Sequence, residues 1–208
     1  MSSSPSTMPR KKASQSRSRA TVDALVEATA RILVRDGFDR ASTNRIAEEA
    51  GVSIGSLYQY FPGKEALVAA VLQRHNRDLM DVVRRALAEI AGAPIAVGAR
   101  RLVAAAIEAH RIDPQLHRVL AEQIPRIGAL AEVELFHRDA YRLFRSYLED
   151  HRDELGALDL DMAAFICVTS VEALTHTAVI HRSDLLTGAV TALIEEASRL
   201  VTGYLRAP

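Results

Sequence analysis

Apolar positions recur every three to four residues along nearly the whole chain. Val22, Leu25, Val26, Thr29, Ile32 and Leu33 mark one face of a helix that Gly37 closes. Two short helical segments, about 43–50 and 54–60, follow across Gly51-Val52-Ser53. Pro62-Gly63 opens a long fourth helix that reaches Gly92-Ala93-Pro94. Further helices are predicted at about 95–111, 114–123, 127–155, 159–181 and 184–205, punctuated by Asp113-Pro114, Pro125 and Gly156. No segment alternates with the period of a strand, and none repeats at solenoid spacing. The pattern predicts an all-α protein of about nine helices.

Residues 1–19 differ in kind. They hold seven serines, two prolines and five basic residues (Arg10, Lys11, Lys12, Arg17, Arg19), with no acid and almost nothing apolar to bury. That composition predicts a disordered basic arm. Such an arm is either a solubilising tail or a source of phosphate and minor-groove contacts.

The segment Ser42 to Phe61 carries the most information. Ile46, Ala47, Ala50, Val52, Leu57 and Phe61 give two short helices a shared apolar side. Gly51 suits a turn that needs positive φ, and Ser53 suits an N-cap. This is the pattern of a helix-turn-helix, whose second helix enters the major groove of DNA. Ser56, Tyr58, Gln59 and Tyr60 are left over on that second helix with no core role, and Gly55 leaves room for another backbone. Hydroxyls bond phosphates, and a glutamine amide pairs with an adenine edge. The competing reading packs the tyrosines on the first helix. Thr43 is placed either to cap its helix or to bond a phosphate. Lys64 in the first turn of the fourth helix opposes the macrodipole, a cost that a bound phosphate would offset.

The charge distribution agrees with an anionic partner for this part. The 208 residues carry zero net charge, yet residues 1–64 hold 10 Lys/Arg against 6 Asp/Glu and the remainder 16 against 20. Hydrophobic residues at 49% and charged residues at 25% predict a soluble globular chain, and no apolar run of membrane-span or signal-peptide kind is seen. A cytoplasmic protein with no membrane partner is expected. Cys167 is the only cysteine, which excludes an internal disulfide; among Phe165, Ile166 and Val168 it reads as an inert core thiol rather than a redox sensor.

Phe38, Ser42-Thr43-x-x-Ile46-Ala47, Ala50-Gly51-Val52-Ser53, Gly55-Ser56-Leu57-Tyr58-x-Tyr60-Phe61 and Lys64-Glu65-Ala66-Leu67 together resemble the tetracycline-repressor (TetR) family over about 22–70. The resemblance implies a bacterial homodimeric repressor. Its DNA-binding domain would span 20–66, with an effector-binding and dimerisation domain over 67–208. It also implies phosphate contacts by Thr43, Ser53, Tyr58, Tyr60 and Lys64. Base readout or close approach would fall to Ile54, Gly55, Ser56 and Gln59, and Arg45 is expected as a further DNA-binding residue. Ile54 departs from the basic residue or proline frequent at its place, so an apolar touch on a thymine methyl replaces a cationic contact.

In the last third, Leu186, Val190, Leu193, Ala197, Leu200 and Tyr204 form a heptad-like seam, and Ala163, Ile166, Ser170, Ala173, Thr177 and Ile180 form a small-residue seam. The resemblance places the dimer interface here; the alternative is that both seams fill a monomer core. Two recognition helices related by a two-fold predict a palindromic operator. A polar stripe, Thr169, Glu172 and His176, marks a candidate effector cavity with Phe136, His137, Tyr141, Phe144, Phe165, His110, His117 and Met80. In the competing reading Glu172 and His176 satisfy each other.

No effector residue follows from the resemblance, and the effector is expected only to be small and hydrophobic or amphipathic. His110 and His117, seven apart, would lie about 10 Å apart on one helix, too far to share a metal. No metal or cofactor is expected, and no enzyme motif is found. Two rivals remain: the same fold binding DNA without a small-molecule effector, and, more remotely, a helical-bundle enzyme.

Overall fold

The computed structural model describes the backbone of residues 11–127 and 130–206 and the side chains of 17–123 and 133–206. Residues 1–10 of the predicted arm lie outside it. Among the described residues there are ten α-helices, one 3-10 turn and no strand. The chain divides into two compact units, one through Val71 and one from Leu72.

The first unit holds α1 (Lys11–Asp36), α2 (Thr43–Ala50), α3 (Ile54–Tyr60) and the start of α4 (Lys64–Glu89). Leu25, Ile32 and Leu33 of α1, Ile46 of α2, Leu57 of α3 and Leu67 of α4 are among its fully buried side chains. α1 begins at Lys11, so residues 11–19 are helical rather than disordered. The segment 11–36 contains no glycine or proline, and a helix nucleated by the packed turns from Leu25 onward extends at little cost. Ser42, not Thr43, caps α2 by accepting from the Arg45 amide. Gly51 ends α2 at φ 68°, its amide bonded to the carbonyls of Ala47 and Glu48.

The second unit contains most of α4 together with α5 (Ile95–His110), α6 (Pro114–Ile127), α7 (Leu130–Asp150), α8 (Leu160–His181), α9 (Ser183–Thr187) and α10 (Val190–Leu205). α8 packs on α5 and α7, and α10 packs on α5 and α8. Ile95, Ile107, Tyr147, Leu148, Cys167 and Leu205 are among its core. Burial pushes the Cys167 thiol up to about 12, the state of an unreactive core cysteine.

Three boundaries differ from the pattern. α6 runs through Pro125 to Ile127, because a proline near a helix end removes only one backbone donor. α7 stops at Asp150, and Arg152–Glu154 forms the 3-10 turn. That turn is anchored by Glu154 Oε2, which accepts from the Ile95 amide at 3.0 Å. The last predicted helix is two: the Thr187 hydroxyl folds back on the Ser183 carbonyl and the Gly188 amide closes on Asp184, ending α9 before α10 starts.

The two predicted dimer seams are divided between core and surface. Ala163, Leu186 and Ala197 are buried in the protomer's own core, so their side chains are unavailable to a second chain. Val190, Leu193 and Tyr204 pack against that core as well. Ala173, Thr177 and Leu200 do reach the surface, and Ile166 and Ser170 reach it in part. α8 is long and apolar enough to cross a membrane, with mean hydropathy 1.6. One side of it is buried here, while Met162, Phe165 and Leu174 on α8, and Leu200 on α10, stand exposed.

Candidate nucleic-acid interface and ligand cavity

The short α3 is set by its first turn. Ser53 accepts from the Ser56 amide at 3.1 Å, and the two hydroxyls lie 2.9 Å apart. Leu57 is fully buried, and that single anchor turns Tyr58, Gln59 and Tyr60 outward. Tyr58 is 54% exposed, which excludes packing on α1 as its role. Its hydroxyl lies 3.1 Å from that of Thr43, so two helices present one paired hydroxyl site. The Tyr60 hydroxyl donates to Ser18 on α1 at 3.3 Å. Ile54 is also exposed. A Cβ on Gly55 would meet nothing nearer than Ser53 Oγ at 3.9 Å, so nothing within the fold requires glycine there.

The two cations proposed for this face have partners inside the fold. Arg45 bonds Asp36 at 2.6 Å and the Arg40 carbonyl at 2.8 Å, tying α2 to the end of α1 and the turn after it. Lys64 donates to the Phe38 carbonyl at 3.1 Å, with its ammonium 4.1 Å from the Phe38 ring centroid. The carbonyl and the ring offset the unfavourable macrodipole without a phosphate. Arg31 and Arg35 clamp Glu49, and their hydrogen bonds hold its carboxyl below the usual carboxylate range.

In the second unit a cavity of about 330 Å³ opens among α4, α5, α6, α7 and α8. His110, His117, Phe136, His137, Thr169, Glu172 and His176 line it as expected. A second cavity of about 110 Å³ shares Leu79, His110, Phe136 and Glu172 with the first and is otherwise apolar, with Phe144 on its wall. Met80, Tyr141 and Phe165 do not line either. Met80 is buried in packing, Phe165 faces outward, and Tyr141 stands behind Thr169 at 3.1 Å between hydroxyl oxygens.

Sequence reasoning missed His75, which lines the larger cavity. Its signal was the series Val68, Leu72, His75, Leu79, whose 4-3-4 spacing places the imidazole on the buried stripe of α4.

The histidines form a connected group. His75 Nε2 lies 2.9 Å from His117 Nδ1, and His117 Nε2 lies 3.0 Å from His176 Nδ1. His110 and His117 are not on one helix: α5 ends at His110, and the turn before Pro114 returns the chain so that their ring centroids are 4.7 Å apart. His110 Nδ1 donates to the Ala106 carbonyl at 2.7 Å, which leaves Nε2 as its acceptor. Burial pushes His75 down to about 4 and His117 down to about 2, and it lowers His110. These three are neutral at pH 7.

Glu172 pairs not with His176 but with His137, at 2.6 Å, and that bond raises the His137 pKa. Among the described residues no group of three or more His, Cys, Asp or Glu is arranged to hold a metal ion. His117 already directs its two nitrogens at two different histidines.

Comparison with known proteins agrees with both units. Residues 25–71 match the family described as bacterial regulatory proteins, tetR family, and residues 94–205 match the tetracyclin repressor-like C-terminal domain. The HTH-type transcriptional activator FasR of Mycolicibacterium smegmatis is 32% identical over 154 residues, covering 65% of each chain. The present chain thus spans slightly under two thirds of that relative. The HTH-type transcriptional regulator BetI of Cronobacter sakazakii is 27% identical over 192 residues, 88% of this chain and 87% of that one. Among solved structures, a putative TetR-family regulator from Mesorhizobium loti superposes with a TM-score of 0.73 at 21% identity, covering 91% of this chain and 96% of that one. The chain belongs to the TetR family of helix-turn-helix, DNA-binding transcriptional regulators.

Proposed function

We propose that this protein is a homodimeric repressor that binds a roughly palindromic operator and is released from it by a small amphipathic effector. The observation that carries the DNA reading is the outward face of α3. It exposes Ile54, Tyr58, Gln59 and Tyr60 around a glycine for which nothing within the fold calls. In this reading Thr43, Ser53, Tyr58 and Tyr60 bond phosphates, while Gln59, Ser56 and Ile54 meet base edges across the gap at Gly55. Lys64 keeps two donors free of its bond to Phe38 and reaches a phosphate with them. Arg45 positions α2 through Asp36 and makes no base contact. FasR is named an activator; the sign of regulation depends on where the operator lies, and repression by occupancy is the simplest outcome of this geometry.

The effector reading is supported by the cavity, since a filled core would have favoured DNA binding without a ligand. α4 carries Lys64 at its start and His75 and Asn76 on the cavity wall. A ligand that binds one placement of α4 better than another shifts the population between them and changes operator affinity. Dimerisation falls to the exposed apolar face of α8, where Met162, Phe165, Ala173 and Thr177 lie with Leu200 of α10. An apolar helix face of this size is normally covered.

Selection from a random DNA pool tests the operator. The expected product is an inverted repeat with half-sites about one helical turn apart. Enrichment of a single unrepeated site would refute the dimeric reading, and no enrichment would refute the DNA reading.

A further inference from the structure

The larger cavity holds far more base than acid. Among the described residues five imidazoles line it (His75, His110, His117, His137 and His176) against one carboxylate, Glu172, which His137 already closes. We infer that the cavity binds a monoanionic weak acid with an apolar body, the acid group on the His75–His117–His176 chain, and takes up a proton as it does so. The apolar body would lie against Leu79 and Phe136 and extend toward the smaller apolar cavity that shares those two walls. This deepens the effector reading above and rests on it only for the identity of the site.

The hydrogen bonding of the histidine chain sets its affinity for a proton. In a run of three neutral imidazoles every N–H points the same way, so one outer nitrogen donates and the other accepts. One added proton makes both outer nitrogens, His75 Nδ1 and His176 Nε2, donors and gives the chain a positive charge. In the empty cavity burial opposes that proton, as the depressed values of His75 and His117 show. An acid anion supplies the missing counter-charge, and opposite charge at close range favours the protonated form. Anion and proton therefore enter together, and the buried site stays neutral overall.

Other charges face the chain from each neighbouring element. Asp78 on α4 and Asp113 in the turn after α5 favour the extra proton on His75, while Arg74 and His110 oppose it. Glu172 on α8 is held by His137 on α7. A cationic ligand would have to take Glu172 from His137, whereas an anion displaces nothing.

Calorimetric titration of the full chain tests the proposal, using decanoate, decanol and decylamine as probes. Each is measured between about pH 6 and 8, in two buffers of different ionisation enthalpy. Decanoate is expected to bind with uptake of close to one proton, its Kd weakening by up to about tenfold per pH unit. Decanol is expected to bind more weakly and without proton uptake. His117→Gln and His176→Gln should abolish the proton uptake and with it the preference for decanoate over decanol.

Decanoate binding without proton uptake, decanol binding as tightly as decanoate, preference for decylamine, or no binding of decanoate would each overturn the proposal. The same samples separate it from the effector reading. Proton-coupled decanoate binding that leaves operator affinity unchanged would support the site chemistry and refute release by effector.

Discussion

At the scale of single residues, two glycines carry opposite messages. A Cβ on Gly98 would fall within 1.8 Å of the Tyr147 hydroxyl oxygen, so that glycine is fixed by packing of the protomer. Gly55 meets no such obstacle. We expect Gly55→Ala to leave stability unchanged or raise it by about 1 kcal/mol, as removal of a helical glycine does. Operator affinity should fall at least about tenfold, equivalent to about 1.4 kcal/mol. Thermal melts beside DNA titrations would decide, and retained affinity would return Gly55 to the status of a neutral position.

Gly98→Ala should destabilise by about 1–3 kcal/mol through overpacking. Tyr147→Phe should ease that clash only in part, because the ring's Cζ would still lie 2.7 Å from the new Cβ. Because the Tyr147 hydroxyl is buried with no hydrogen-bond partner among the described residues, Tyr147→Phe alone should gain about 1 kcal/mol in denaturant unfolding. Residue identity foretold the solvent-facing side of α3 because one buried leucine in a seven-residue helix leaves few choices. It did not foretell the partners of Lys64 and Arg45, which arrive through Phe38, Arg40 and Asp36 from the turn between α1 and α2.

At the scale of elements, local signals and tertiary packing separate cleanly. Ser53, Gly51 and Gly37 punctuate the chain through caps and positive φ, and the helices they bound lie where the pattern put them. The break between α9 and α10 was hidden because Thr187 and Gly188 interrupt a periodicity that resumes in phase. The inward turn of Ala163, Leu186 and Ala197 was equally hidden, since a core seam and an interface seam share one spacing.

The histidine chain joins α4, α6 and α8, so no segment of sequence displays it. It has a consequence for the second unit. His75 and His117 bind protons less readily folded than unfolded, so the unfolded state gains protons first as pH falls. Stability is therefore full above about pH 6.5 and declines below it, toward the folded values of about 4 and 2. Each residue should cost about 2 kcal/mol by pH 5. Melting curves from pH 7.5 to 5 should show a falling Tm, and His117→Gln should flatten the slope. A Tm that rises on acidification would contradict the neutral chain.

At the scale of the whole molecule, the family was legible from the motif around 42–67, while the chemistry of the cavity was not. The cavity is built from five helices, and its chemistry emerges only when they pack. The proposed dimer uses exposed apolar side chains of α8 and α10. Phe165→Glu should shift the protein to monomer in sedimentation and lower operator affinity, because two linked half-sites bind far more tightly than one. A Phe165→Glu protein that remained dimeric would move the interface elsewhere.

α3 is the element proposed to read DNA. The most direct test is fluorescence anisotropy on DNA selected by the wild-type protein, with wild type and Tyr58→Ala compared across a salt series. The account predicts tight wild-type binding that weakens steeply with salt, with Tyr58→Ala folding normally and losing at least about tenfold in affinity. Equal binding by the two proteins, with the same salt dependence, would contradict it.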